Sequence, residues 1–422
     1  MNIQLQRVDW RLQTTLYEVN VRQYTKEGTF NAFAEHLPRL RDMGVETLWF
    51  MPVTPIAREK MKGTMGSYYA CSDYTSVNPE FGTLDDFRNL VAKAQGMGFR
   101  VILDWVANHT GWDHTWTQTH PDYYERDEYG AIKTAHGMDD IIELDFKNPN
   151  LLKAMIAAMA FWVKECNIDG FRCDLASWVP LEFWQKARPA LDNIKPLFWL
   201  GEMDAIDDKS YMQVFDVAYA WKWMHATESF YKKDRNVERL TNLLLNYVTT
   251  CAPGTTALYF TSNHDENSWN GTEYEKYGDM ALLLAVLSCT WQGIPLVYSG
   301  QEMPLHKRLM FFDKDEIGWT DTLALHDFYK KLLTLHTTHP ALSINAKTEV
   351  LKVADDHALV YLRKKGNTSV LTLLNLSPYP TVINTGKHLK GTFRDLFSGE
   401  FITVAEDTRL SMPQWGYRVL VG

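Results

Sequence analysis

The sequence predicts an α/β protein: a (β/α)8 TIM barrel with a small excursion after its third strand, followed by a C-terminal antiparallel β-sandwich domain. Three observations predict it. Short strand-like runs alternate with helix-patterned segments about eight times, as such a barrel requires. Some runs, such as Phe99-Arg100-Val101-Ile102-Leu103-Asp104, are apolar almost throughout, which is typical of strands buried on both faces of a parallel sheet. From residue 346 the pattern changes to short alternating strands separated by Gly, Pro and Asn. The expected boundaries are 1–109 and 145–345 for the barrel, 110–144 for the excursion and 346–422 for the β domain.

In chain order, residues 16–21 read as a first strand and 30–43 as a helix stopped by Gly44. Residues 45–51 form a second strand closed by Pro52; 84–97 form a helix before Gly98, and 99–104 the third strand. The stretch 110–144 is polar and aromatic without clear periodicity, and a loop of that length in a compact domain is usually functional. A helix at 151–166 leads to a fourth strand at 170–174 and a helix at 181–191. Strands follow at 198–202, more weakly at 214–217, and at 257–260 and 295–298, with helices at 236–247, 280–290 and 323–336. In the β domain, strands are expected at 358–362, 370–374, 401–404 and 418–421.

Composition narrows the partners. Hydrophobic residues are 45% and charged residues 23% of the 422, ordinary for a globular protein. A net charge of −9 argues against nucleic acid or an anionic membrane as partner. Flat rings suit stacking on sugars, and the chain has 15 Trp and 20 Tyr, although many of these belong to the core. Five scattered Cys without C-x-x-C spacing indicate neither a disulfide framework nor a zinc site. The N-terminus has no apolar signal core, and the longest apolar run, 281–291, is too short to cross a bilayer. A reducing, cytoplasmic setting is expected.

Chemistry-bearing residues gather at the C-terminal ends of the strands, where a barrel of this kind builds its site. Asp104 and His109 follow the third strand, Arg172 and Asp174 the fourth, Glu202 the fifth, and His264 and Asp265 the seventh. On a strand Arg172 and Asp174 share a face, so the guanidinium keeps that carboxylate ionised and oriented. Alone, the pair reads equally well as a structural ion pair. Converging carboxylates repel, so one of them holds a proton near neutral pH. One ionised and one protonated carboxyl flanking an acetal oxygen is the equipment of glycoside hydrolysis.

Four segments, Asp104-Trp105-Val106-Ala107-Asn108-His109, Gly170-Phe171-Arg172-Cys173-Asp174, Gly201-Glu202 and Asn263-His264-Asp265, resemble in order the signature regions of the α-amylase family, glycoside hydrolase family 13. The segments 44–52, 73–83 and 293–298 resemble further motifs of that family, and the resemblance covers nearly the whole chain. It implies Asp174 as nucleophile, Glu202 as general acid and then base, and Asp265 as the third carboxylate on the sugar hydroxyls. It further implies that Arg172 orients Asp174, that His109 and His264 bond the sugar, that Tyr69 stacks on it, and that Asp104 braces the site through Arg172.

Other residues have plainer readings. His264 alone would more often be a satisfied core histidine, and Tyr69 could be simple packing. Trp105 is expected to pack the barrel. Trp112, Trp116, Tyr123 and Tyr124 are expected to form the excursion's own small core, with cleft lining the alternative. Lys307 and Arg308 are expected on a solvated face.

The chain departs from the family after Asp174. Where many α-amylases carry Lys-His, with the His backbone on calcium, this chain reads Leu175-Ala176-Ser177-Trp178. Calcium is therefore doubtful, with Asn108 the one candidate ligand, and the loop after Asp174 is expected to be shaped by packing the Trp178 indole. No cofactor is expected. The resemblance implies a retaining hydrolase of α-1,4 bonds in starch or maltooligosaccharides. A transglycosylase, cyclomaltodextrinase or oligo-α-glucosidase of the same family is the alternative. From a different class, the alternative is a non-catalytic sugar-binding or transporter-accessory relative.

Overall fold

The computed structural model describes residues 5–385 and 390–422. Eight strands close into a barrel: Leu16–Val19, Thr47–Phe50, Arg100–Trp105, Gly170–Cys173, Phe198–Asp204, Val217–Tyr219, Thr256–Tyr259 and Ile294–Tyr298. Each pairs in parallel with its neighbours in the sequence, and the first closes on the eighth.

Because side chains alternate along a strand, every second residue faces the interior. Leu16, Trp49, Ile102, Phe198, Leu200, Val217, Leu258 and Ile294 pack there as one buried cluster. Gly170 takes its place because the neighbouring strand leaves no room: a Cβ would meet the Phe198 carbonyl oxygen at 2.2 Å. Two residues further along the same strands the interior turns polar, at Glu18, Asp104, Arg172 and Glu202.

Several boundaries differ from those the sequence suggests. The first strand stops at Val19, and Val21–Tyr24 is one helical turn. The helix expected over 30–43 is two, Phe30–Ala34 and Leu37–Asp42, because Pro38 starts a new first turn. The sixth strand begins at Val217, after the position expected. Ahead of it, the Asp216 N–H donates to the Trp199 carbonyl at 2.9 Å while its carboxylate accepts the Trp199 N–H at 3.0 Å, so a side chain supplies one of the two bonds there. A helix that the sequence reading did not place, Trp221–Lys232, precedes Val237–Thr250.

The excursion is ordered by a small antiparallel sheet of His109–Gly111, Met138–Glu143 and Thr134–Ala135. Beyond the barrel, six antiparallel strands form one sheet. A two-stranded ribbon, Thr381–Asn384 with Arg409–Met412, packs on one face of it through Ile383 and Met412. The opposite face, with Leu359, Tyr361, Val370 and Val419, joins the barrel core. Arg363 crosses this seam and donates to the Ser343 carbonyl at 2.7 Å. Among the described residues no helix is long and apolar enough to cross a membrane.

Candidate active site

The parallel register sets Asp104 beside Arg172. Arg172, fully buried, is the hub. Its Nη1 donates to Asp104 Oδ1 and to Asp174 Oδ1, both at 2.9 Å, and its Nε to the Tyr219 hydroxyl at 3.1 Å. Nη2 lies 2.9 Å from Glu202 Oε2, near enough for a charge pair but out of line for a hydrogen bond. Glu202 Oε2 also accepts the Leu175 backbone N–H at 2.8 Å. That amide is aimed by a left-handed backbone at Leu175, φ 42°, a conformation that costs a branched side chain roughly 1–2 kcal/mol. Strain of this sort collects at functional sites.

A second network stands beside the first. Asp104 Oδ2 accepts from Trp49 Nε1 at 3.1 Å and from the Tyr69 hydroxyl at 3.0 Å. The Tyr69 oxygen lies 2.8 Å from His264 Nε2. His264 Nδ1 contacts Glu18 Oε1, and Nε2 lies 3.3 Å from Asp265 Oδ2.

Burial pushes the His264 imidazole down, but Asp265 and Glu18 outweigh it and hold it well above its usual value. In turn, burial raises Asp265, while the His264 charge and hydrogen bond, with Arg172, outweigh that and keep it below the carboxylate range. Burial, reinforced by Glu202, pushes Asp174 well up against the pull of Arg172. The expectation that Arg172 alone keeps this carboxylate ionised is thus corrected: burial and the neighbouring Glu202 outweigh the guanidinium. Burial lowers His109 to about 3, so its ring is neutral.

Asp174, Glu202, Asp265, His264 and His109 line a cleft of about 300 Å³ together with Leu175, Trp178, Trp269, Phe311 and Phe312. His109 Nε2 is buried there with no hydrogen-bond partner. Tyr69 lines the cleft with its ring stacked on His264 at 5.3 Å. Both His264 nitrogens are engaged, so a sugar hydroxyl reaches Nε2 only by sharing it with Asp265 or Tyr69.

The structure thus brings together Asp174, Glu202, Asp265, Arg172, Asp104, Tyr69, His109 and His264. Trp105 packs against Tyr74 and Phe171 on the outer face of the barrel sheet. Trp116, Tyr123 and Tyr124 pack with the barrel core rather than as a separate one, and neither they nor Trp112 line the cleft. Lys307 and Arg308 are exposed and paired with Asp315 and Glu275. Trp178 departs from expectation. Its indole is 45% exposed at the cleft rim, against His136, rather than packed inside the loop.

Three contributors escaped the sequence reading: Glu18, Trp49 and Tyr219. Glu18 alone left a signal, a carboxylate in an otherwise apolar run two residues past an interior leucine.

Calcium finds a poor fit. Asn108 is buried, with Nδ2 3.3 Å from His109 Nδ1. Carboxylates of the excursion and of the residue that follows it are already held: Asp139 and Asp140 by Lys62, Glu143 by Lys133, and Asp145 by the Lys147 amide. Among the described residues no three His, Cys, Asp or Glu converge as a metal cluster. This is not the set of six to eight oxygens that calcium takes.

A closed parallel barrel with a carboxylate-lined cleft at its C-terminal end, an excursion after the third strand and a β domain behind define a glycoside hydrolase of the α-amylase class. The profile described as "Alpha amylase, catalytic domain" matches residues 13–134 and 124–322, and "Maltogenic Amylase, C-terminal domain" matches 348–419. The chain belongs to the α-amylase family. Alpha-amylase 2 of Dictyoglomus thermophilum is 23% identical over 93% of this chain and 74% of its own. A cyclomaltodextrinase of Geobacillus thermopakistaniensis is 24% identical over 92% and 69%. A solved alpha-amylase from Lactobacillus plantarum superposes with a TM-score of 0.89 at 27% identity, over 98% of this chain and 99% of that one.

Proposed function

We propose that the protein is a retaining hydrolase of α-1,4-glucosidic bonds in starch or maltooligosaccharides. The observation that carries this is Asp174 and Glu202 held on two nitrogens of one guanidinium at the cleft floor. Retaining enzymes use two carboxyl groups about 5–5.5 Å apart. Asp174 attacks the anomeric carbon while Glu202 gives its proton to the departing oxygen; an ester to Asp174 forms as the glycosidic C–O bond breaks. In this step Asp174, bonded to Arg172, acts as the anion and Glu202 as the acid. Glu202 then takes a proton from water, which attacks the anomeric carbon as its bond to the Asp174 oxygen breaks, freeing Asp174.

Asp265, kept anionic by His264, binds hydroxyls of the reacting sugar and favours the cationic transition state. The unpartnered His109 Nε2 supplies another hydroxyl contact. No step calls on a metal. Five free cysteines, four of them buried, fit a reducing, cytoplasmic setting. Proton NMR of the first product from maltooligosaccharides tests the reading: two inversions give the α-anomer, and a β-anomer would contradict it.

A further inference from the structure

The cleft has one sealed end and one open end. At the sealed end, Lys62 from the loop after the second strand reaches the excursion, 2.7 Å from Asp140 and 3.3 Å from Asp139. The same loop then meets the chain after the eighth strand. The Thr64 N–H donates to Asp313 at 2.9 Å, and the Met65 N–H to the Phe312 carbonyl at 2.9 Å. Gly63 permits this approach: its φ is +60°, and a Cβ would sit 2.5 Å from Phe312 Cβ. Phe312 continues the seam to Trp269, with ring centroids 5.5 Å apart, beside Asp265. From behind, the buried Arg22 braces the loop through the Met65 and Gly66 carbonyls, at 3.4 and 3.3 Å. The wall from the excursion round to the seventh strand is therefore continuous.

The other end has no such wall. No residue of the chain between Glu202 and His264 lines the cleft, and the half-exposed Trp178 stands at its edge. The opening thus lies beside Glu202, the group that protonates the departing oxygen. The leaving portion of a glucan must point out through it, and the portion kept on Asp174 must end against the Lys62–Phe312 seam. A cleft of about 300 Å³ sits at the low end of pockets that take a drug-sized molecule, roughly 300–1,000 Å³.

We infer that this enzyme works from chain ends. It accepts the non-reducing terminus of an α-glucan against the sealed wall and releases short pieces of fixed length, rather than cutting within chains. The inference rests on the hydrolase reading above and adds direction and length selectivity to it.

The test uses p-nitrophenyl maltooligosaccharides with a free non-reducing end or with that end capped by an ethylidene acetal. The wild type should cleave the capped substrate more than about 10-fold slower, because the cap has no room against the wall. The Lys62→Ala/Asp140→Ala variant should narrow that ratio several-fold by opening the seam. Asp140 is buried and Lys62 only partly exposed, and because the double variant removes both partners it leaves neither charge of that pair buried alone; the variant should keep its fold, checked by melting temperature. Equal wild-type rates on both substrates would overturn end-selection and leave hydrolysis standing. A ratio unchanged in the variant would overturn the seam as its cause. Cleavage of neither substrate would overturn the parent reading itself.

Discussion

At the lower level of the barrel interior stand Leu16, Ile102 and Leu200, all fully buried. Two residues on along the same strands stand Glu18, Asp104 and Glu202. The lower layer stabilises by apolar burial, about 1.5–3 kcal/mol for each large side chain. The upper layer carries ions out of water, which costs several kcal/mol per ion unless each finds partners. It meets that cost with two linked hubs, Arg172 among the carboxylates and His264 between Glu18 and Asp265. One alternation along one set of strands thus yields a stable floor and a reactive roof. Substitutions in the two layers should differ in kind.

The largest effect belongs to the roof. Glu202→Gln removes the proton donor and should lower turnover of poor leaving groups by roughly 10²–10⁴-fold. An activated aryl glycoside should suffer less in its first step, and pre-steady-state rates on both substrate types check this. Equal losses would contradict an acid role.

In the floor, Phe198→Ala should cost about 3–5 kcal/mol of stability, read by denaturant unfolding, with activity per folded molecule little changed. Phe198 is fully buried and stacks on Trp10 with centroids 5.0 Å apart. A large loss of turnover at unchanged stability would erase the contrast between layers.

A subtler effect comes from His264→Gln. Without the imidazolium, the Asp265 carboxyl should titrate higher, so the acid limb of the pH–activity profile should move up. The stability signs follow from the two shifts. His264, raised on folding, contributes fully below its unfolded value of about 6.5 and loses that contribution as pH climbs through the folded value. Asp265, lowered on folding, contributes above about 3.9 and loses it as pH falls through its folded value. An unmoved acid limb would mean that His264 does not set the charge of Asp265.

The same contrast explains what could be read from the sequence. The floor announces itself through apolar runs at regular intervals, and the four signature segments carry Asp104, Arg172, Glu202 and Asp265 within a few residues of strand ends. Glu18 was harder. Its strand, Leu16–Val19, is buried at every position, so no alternation marks which side faces the centre. Only the closure of the first strand on the eighth sets Glu18 beside His264. The sixth strand blurred because Asp216 spends its carboxylate on a neighbouring amide. The position of Trp178 is not legible locally, because its packing depends on His136, a residue of the excursion whose approach no local pattern encodes. The Lys62 seam joins three loops far apart in the chain and was invisible for the same reason.

The central claim is that Asp174 carries the sugar between the two half-reactions. A fluorinated α-glucosyl fluoride, slow to leave the enzyme once attached, should label the protein with one sugar. Peptide mass spectrometry should place that sugar on Asp174, with Asp174→Asn unlabelled. A label on another carboxylate, or labelling that persists in Asp174→Asn, would contradict the account.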